Sequence, residues 1–589
     1  MRARRGIEAA ADRGWVKAVL TSRSTRRACR SFQRIAAVAS AILLGLGLSA
    51  VATAASATAT TAAREGNATG QVALAGQGPK PKVWTVGTWN GKRGRFQSIQ
   101  EAVDAAAPGD WIVIAPGDYK ERGDYTTHPP TTAPSAGVLI DKPDLHLLGL
   151  SRNGVIVDGT RSGPACSANP ADQDRGPVGP NGPWGRNGIE VVEASGVTIQ
   201  NLTVCNFLSG QDSSGNQIWW NGGEGTGQIH LHSYFGSYLS ATTTYFQKSD
   251  PAQATYGIFA ANADGPGLID QTYASNMNDS GYYIGACPDC NAVLDHAHGE
   301  NSVLGYSGTN SGGHLVIENS EFDRNSEGID TNSASDGDLP APQNGACPGG
   351  SGSCWVVQNN FIHDNNNRDV PGNGLGLVGA GLVVAGGRND TIQQNLFVNN
   401  GAWAVALVPY VSGVANGPGD CTSAGGVWDN AFVDQLGGGP SCFFNDFGSN
   451  THGNLFEKNG SFGQPTNGDL ADLSDFSAVG IPAASPGQGN CWHGNIDPAG
   501  VSSSPANLQQ TNGNCATAGP GASVTDPLFG QVLCNLHQLP PSDPLCNGAV
   551  YPTQDPSFSL MPLPPQPSLP DPCSLLPRTI PWCVPGHNK

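Results

Sequence analysis

Two hydrophobic periods follow one another along this chain. Residues 96–121 read FQSIQEAVDAAAPGDWIVIAPGDYKE, in which Ile99, Ala102, Val103 and Ala106 recur at helical spacing. Ser98, followed three residues later by Glu101, marks a capped helix start, and Pro108-Gly109 stops the helix. The apolar run 111–115 then predicts a short buried strand ending at Pro116-Gly117. Downstream the pattern becomes a short repeat: an aliphatic residue, Asn or Asp two positions on, an apolar residue, then Asn three later. It reads Ile317, Asn319, Phe322, Asn325; then Val357, Asn359, Ile362, Asn365; then Ile392, Gln394, Phe397, Asn400. Weaker copies are Leu268, Asp270, Tyr273, Asn276 and Val293, Asp295, His298, Asn301, with a looser one at Thr451, Asn454, Phe456, Asn459.

The last Asn residues are spaced by 25 and 24 residues (276, 301, 325), then by 40 and 35 (365, 400), as if loops were inserted between coils. A period near 24 suits a leucine-rich repeat or a parallel β-helix, and the leucine-rich consensus is missing. Stacked coils would set each Asn over the next at about 4.8 Å, satisfying turn backbone groups coil after coil. The opening helix would cover the open apolar end of such a stack. In the Phe322 and Phe397 position, His298 is expected to lie in the core, whereas His230 and His232 flank Leu231 and are expected on an exposed strand face.

Composition fits a turn-rich solenoid. Gly and Pro make 124 of 589 residues without a Gly-X-Y period, which excludes collagen, and only 13% of residues are charged, which excludes disorder by charge repulsion. Arg-rich residues 1–34 precede an apolar run from Ile35 to Val51, and Ala55-Ser56-Ala57 fits a cleavage site, so residues 1–57 read as a secretory signal. Without them Lys+Arg falls from 30 to 20 and Asp+Glu from 48 to 46, a net charge of −26. That balance disfavours nucleic acid and anionic membranes as partners, and a polyuronate would need Ca²⁺ or a basic patch to approach. Cys29 falls in the signal; the remaining fourteen cysteines of an exported chain are expected to pair locally. The expected pairs are 166/205, 287/290, 347/354, 421/442, 491/515, 534/546 and 573/583.

The Phe96–Glu121 segment and the repeats resemble the right-handed parallel β-helix proteins of the pectin-lyase-like superfamily, the opening segment in particular looking like the start of pectin methylesterases. The resemblance covers residues 83–465 and implies an all-β solenoid with an N-terminal capping helix. Residues 58–82 are then a flexible lead-in, 466–550 a Cys-rich, disulfide-stapled C-terminal cap, and 551–589 a Pro-rich tail. The catalytic motifs of pectin methylesterases and polygalacturonases are absent, and Leu294-Asp295-His296 is only a faint echo of a pectate-lyase element.

Candidate chemistry gathers around two coils. Aligning Asn325 with Asn365 puts Asp330 level with Asp369, with Arg368 beside it and His363 and Asp364 close by. These five residues are the catalytic candidates for a raised-pKa acid and an ionised partner in glycoside hydrolysis, or for a lyase base. Asp330, Asp336 and Asp338 also form a candidate Ca²⁺ set of oxygen ligands, or simply an acidic turn. Trp184, Trp219, Trp220, Tyr234 and Tyr238 are candidates for a sugar-stacking platform, or for packing an inserted loop onto the solenoid. The resulting expectation is a secreted, monomeric protein acting on extracellular polysaccharide as a lyase or glycoside hydrolase through a lateral groove. The alternative is a non-catalytic carbohydrate-binding or surface protein.

Overall fold

A computed structural model describes residues 80–123, 135–210, 214–223, 226–247, 250, 252–334, 354–372, 376–412, 417–423, 426–429, 441–553 and 560–583. Successive coils each contribute three strands, as in Ser311–Glu318, Glu321–Asp323 and Glu327–Asn332. Each strand pairs in parallel with its counterpart one coil on, here Trp355–Gln358, Phe361–His363 and Ala380–Ala385. The first and second strands of every coil build a folded 20-stranded sheet with two faces, and the third strands build an 11-stranded sheet. The architecture is the expected right-handed parallel β-helix, and the three walls are called below its first, second and third faces.

Alternation fills the interior. Leu294, Ile317, Val357, Ile392, Thr451 and Trp492 stack in register on the first face. Phe322, Ile362, Phe397 and Phe456 stack on the second, all fully buried. Two corners separate the three strands, and each is turned by a residue with positive φ. Asn319, Asn359 and Gln394 (φ 50, 57 and 57°) turn the first corner, and Arg324, Asp364 and Asn399 (φ 52, 53 and 54°) turn the second. Asn and Asp tolerate this left-handed region because their short side chains bond locally.

The predicted ladder is present. Asn325, Asn365, Asn400 and Asn459 follow the second corner and link amide to amide at 3.0, 3.1 and 3.1 Å. A parallel ladder, which the repeat did not disclose, follows the first corner: Asn360, Asn395, Asn454 and Asn495, at 3.0, 3.0 and 2.9 Å. Some weaker copies are one residue out of step. Glu300 pairs with Asp323, so Asn301 stands at the corner position of Arg324, and Gly299 rather than His298 lies level with Phe322. His298 therefore points outward, contrary to the expectation of a core histidine.

Helix Ile99–Ala105 closes the N-terminal end, the Ser98 hydroxyl accepting from the Glu101 N–H at 3.4 Å. The coils run on to Ser503–Ser504, past the boundary expected at residue 465. Helix Pro527–Asn535 and its neighbours then lie over the outward side of the third face, where Val383, Ala406 and Ala471 join Leu528, Val532 and Leu533 in one apolar cluster. Six of the seven expected disulfides are formed. The seventh involves Cys347, outside the described residues, as are the signal and most of the lead-in. Residues 560–583 return along the N-terminal coils. Asn276 clasps the Met561 backbone on both sides, Arg152 donates to the Pro567 carbonyl, and the Trp582 indole donates to the Lys92 carbonyl.

Candidate active site on the third face

One outward row of the third face changes character along the stack. Glu190, Trp219, Phe259, Tyr283, Ser307, Asp330, Val383, Ala406 and Ala471 lie in register, strand to strand. A fixed coil geometry makes this row periodic in sequence, Phe259, Tyr283 and Ser307 being 24 residues apart. Its aliphatic end is covered by the C-terminal helix, so Asp330 is the last polar position before the cap.

The aromatic stretch is a floor. Trp219 stacks on Phe259 at 5.0 Å and Tyr283 meets Phe259 edge-on at 4.8 Å, leaving these rings only 3, 3 and 8% exposed. Tyr256 stacks on Phe259 at 4.5 Å and stays partly exposed. Its hydroxyl donates to Asp279 at 3.2 Å, and Ser280 donates to the other Asp279 oxygen at 2.6 Å. Ser280 and Ser307 are themselves joined at 2.5 Å, which connects Asp279 to the row containing Asp330.

Asp330 is partly exposed, while Glu327, three residues earlier on the same strand, is fully buried. The Leu377 N–H donates to Glu327 Oε2 at 2.5 Å, but Glu327 Oε1 and Asp330 Oδ1 are buried with no hydrogen-bond partner. A buried ionised carboxylate without donors is strongly disfavoured, so the pair holds on to protons. Burial and then the Asp279 charge push the Asp330 carboxyl up to about 7. Burial and then Asp330 push Glu327 well above its ordinary range, against the pull of the Leu377 N–H. Asp279 is also raised by burial, but the Ser280 and Tyr256 donors favour its ionised form.

Gly376 makes the close approach of the Leu377 backbone possible: it has φ +83°, and a Cβ there would lie 2.3 Å from Glu327 Oε2. Gly376→Ala is therefore expected to destabilise the protein by about 1–3 kcal/mol through left-handed strain and this clash. A lowered urea midpoint with an unchanged slope would register it.

The sequence-derived candidates separate. The next-coil partner of Asp330 is Val383, because an inserted loop displaces Asp369 and Arg368 from the sheet. Those two line an open pocket with Phe462, Tyr551 and Pro552 instead. His363 and Asp364 stand on the second face and its corner. Asp336 and Asp338 lie outside the described residues, and among the described residues no third metal ligand converges with Glu327 and Asp330. Of the aromatic candidates, Trp219 belongs to this face. Trp220 and Tyr234 point into the interior, 0 and 2% exposed with rings 5.7 Å apart, and so cannot stack on a ligand. Tyr238 turns a first corner at φ 51°, and Trp184 sits half-buried beside the Val178–Pro183 ribbon. His230 and His232 are exposed as expected, bonded to Glu193 at 2.9 Å and Asp264 at 2.5 Å.

Three parallel strands per coil, two corner ladders of asparagine and a helical N-terminal cap decide the fold type. It is a right-handed parallel β-helix. No family model matches the chain, and no curated protein matches its sequence. Among solved structures, the A-module of a mannuronan C-5 epimerase from Azotobacter vinelandii is similar at 15% identity and a TM-score of 0.38, covering 67% of this chain and 89% of that one. An alginate lyase from Paenibacillus is similar at 11% identity and a TM-score of 0.31, with coverages of 64% and 95%. A mannuronic-acid-specific lyase from human gut microbiota has 11% identity and a TM-score of 0.36, with coverages of 70% and 80%. At these identities and scores the activities of those proteins say nothing about this β-helix.

Proposed function

We propose that this β-helix protein is an exported glycoside hydrolase acting on a neutral extracellular polysaccharide across its third face, with Asp330 as the proton donor. The observation that carries the reading is the Asp330 carboxyl, partly exposed yet pushed up to about 7, within the field of a second carboxylate that is hydrogen-bonded by Ser280 and Tyr256. Glycoside cleavage requires one carboxyl that holds its proton and one that is ionised; burial raises Asp279 too, and its Ser280 and Tyr256 donors are what favour the ionised form there. Protonated Asp330 gives its proton to the glycosidic oxygen as the C–O bond breaks. Ionised Asp279 serves the other side of the sugar, as base for water or as nucleophile. Glu327 acts through Asp330 as a positioning residue, and the partly exposed Tyr256 ring offers an apolar surface to a pyranose.

Several features favour a neutral glycan. The groups that set the Asp330 protonation are burial and Asp279, with no Lys, Arg or His among them. A lyase acting on a polyuronate needs a cation or a cationic side chain to neutralise the uronate, and the net charge of −26 after removal of residues 1–57 opposes approach of such a chain. The disulfides among the described residues support export.

A panel of neutral and acidic polysaccharides tests the reading. New reducing ends from a neutral glycan, without unsaturated uronate absorbance, are the expected result. Unsaturated ends from an acidic glycan would replace hydrolysis by elimination, and saturable binding without product would leave a carbohydrate-binding protein.

A further inference from the structure

The second face carries a built arrangement that the proposed reaction does not use. Tyr273, His298, Glu321 and Phe361 lie in register across four coils, and beside them Ser275, Glu300, Asp323 and His363 form a second register. Residues two apart on a strand project from one side, so this outward surface sets His298 next to Glu321 and Asp323 next to His363. His298 Nε2 is 2.7 Å from Asp323 Oδ1, and His363 Nε2 is 3.0 Å from Glu321 Oε1. Ligand atoms of His298, Glu321 and Asp323 all lie within 4.8 Å of one another.

The surroundings fix these groups from behind. His363 Nδ1 is 2.8 Å from Asp364 Oδ2, and the Phe361 ring stacks on the imidazole at 3.8 Å. Asp364 thereby orients the ring with Nε2 toward the cluster, the arrangement by which carboxylates hold metal-ligating histidines. Asp323 is 3% exposed; its Oδ2 accepts from Arg324 Nε at 2.7 Å, leaving Oδ1 toward His298. Arg324 also reaches Glu300 at 2.5 Å, and Tyr273 donates to the other Glu300 oxygen at 2.5 Å. His363 and Asp323 are thus held by outer hydrogen bonds, from Asp364 and Arg324, while His298 and Glu321 bond directly to Asp323 and His363.

We propose that His298, His363, Glu321 and Asp323 form a binding site for a divalent transition metal of the zinc class, clamping three successive coils. Two nitrogen and two carboxylate ligands match zinc, whereas Ca²⁺ and Mg²⁺ take oxygen ligands throughout. The competing description is a self-satisfied network of ion pairs that takes up no metal.

Calorimetric titration of the whole, chelator-stripped protein with ZnCl₂ separates the two. One equivalent of Zn²⁺ is expected to bind and to raise the melting temperature, with Co²⁺ giving the visible spectrum of a four-coordinate nitrogen–oxygen site. The double variant His298→Ala/His363→Ala should lose at least about 100-fold in affinity, and Asp364→Asn about 10–100-fold through loss of the carboxylate behind His363. Asp364 turns a corner at φ 53°, which Asn also adopts, so that variant keeps the fold. If the double variant fails to fold, Glu321→Gln, nearly equal in shape, gives the same reading. No zinc uptake by the parent protein, affinity untouched in these variants, or Ca²⁺ bound as tightly as Zn²⁺ would each overturn the site.

Discussion

Asp330→Asn should lose at least about 100-fold in kcat, the usual contribution of general acid catalysis being about 10²–10⁴. The amide keeps the shape of the carboxyl but has no proton to give, so KM should change little. The same substitution should make the protein more stable at pH 8. An Asp carboxyl ordinarily ionises near 3.8, and in the folded protein this one does so at about 7. Between those values the unfolded chain releases its proton while the folded chain keeps it, so wild-type stability falls as pH rises through that window. It is fully present below pH 3.8 and lost above 7. Melting curves of parent and variant should coincide near pH 3 and separate above pH 7, with Asn the more stable. Inactivity together with lower stability at pH 8 would make Asp330 a structural residue and remove it from the reaction.

Asn365→Ala should cost about 3–5 kcal/mol, the range of the most damaging single substitutions, because it strips partners from buried groups on both sides. Asn365 is fully buried; its oxygen accepts the Asn325 side-chain N–H at 3.0 Å, and its nitrogen donates to the Phe322 carbonyl at 3.0 Å and to Asn400 at 3.1 Å. Alanine leaves the Phe322 carbonyl without this donor and interrupts the ladder between two coils. Urea unfolding followed by tryptophan fluorescence would read the loss as a lower midpoint. Asn365→Asp keeps the acceptor but buries a charge, and should be milder at pH 4 than at pH 8. A loss below about 1 kcal/mol in the alanine variant would mean that the ladder follows from the fold without stabilising it.

The coil was legible in the chain because its two constraints, an apolar residue inside and an asparagine at the corner, recur at a fixed interval. Asn325, Asn365 and Asn400 each follow an apolar residue by three positions, and they stack. The first-corner ladder escaped because Asn360 and Asn395 sit directly after Asn359 and Gln394, whose polarity already accounted for the turn. The site was half legible. Asp330 stands beside Ile329 in the sequence, but its level in the next coil is hidden there, since the loop that follows His363 and runs past Asp369 breaks the count from Asn365. Glu327 and Asp279 gave no signal: their chemistry comes from burial and from the approach of the Leu377 backbone, neither of which spacing reveals. Phe259 and Tyr283 follow the 24-residue interval of the second face carried across to the third, whereas Tyr256, which pairs with Ser280, has no aromatic one interval on.

The returning segment has a consequence for how the molecule comes apart. A solenoid is nearly one-dimensional, each coil touching only its neighbours, and such stacks fray from their ends. Here the Trp582 indole donates to the Lys92 carbonyl and the Lys92 ammonium to the Pro581 carbonyl, joining positions 490 and 489 residues apart. Val113 and Ala115 share an apolar cluster with Ile580 and Trp582. The first coil therefore cannot peel away without also releasing residues 560–583, so the N-terminal end of the column is strapped rather than free to fray. Protease cleavage near Lys92 and near Trp582 should therefore rise and fall together.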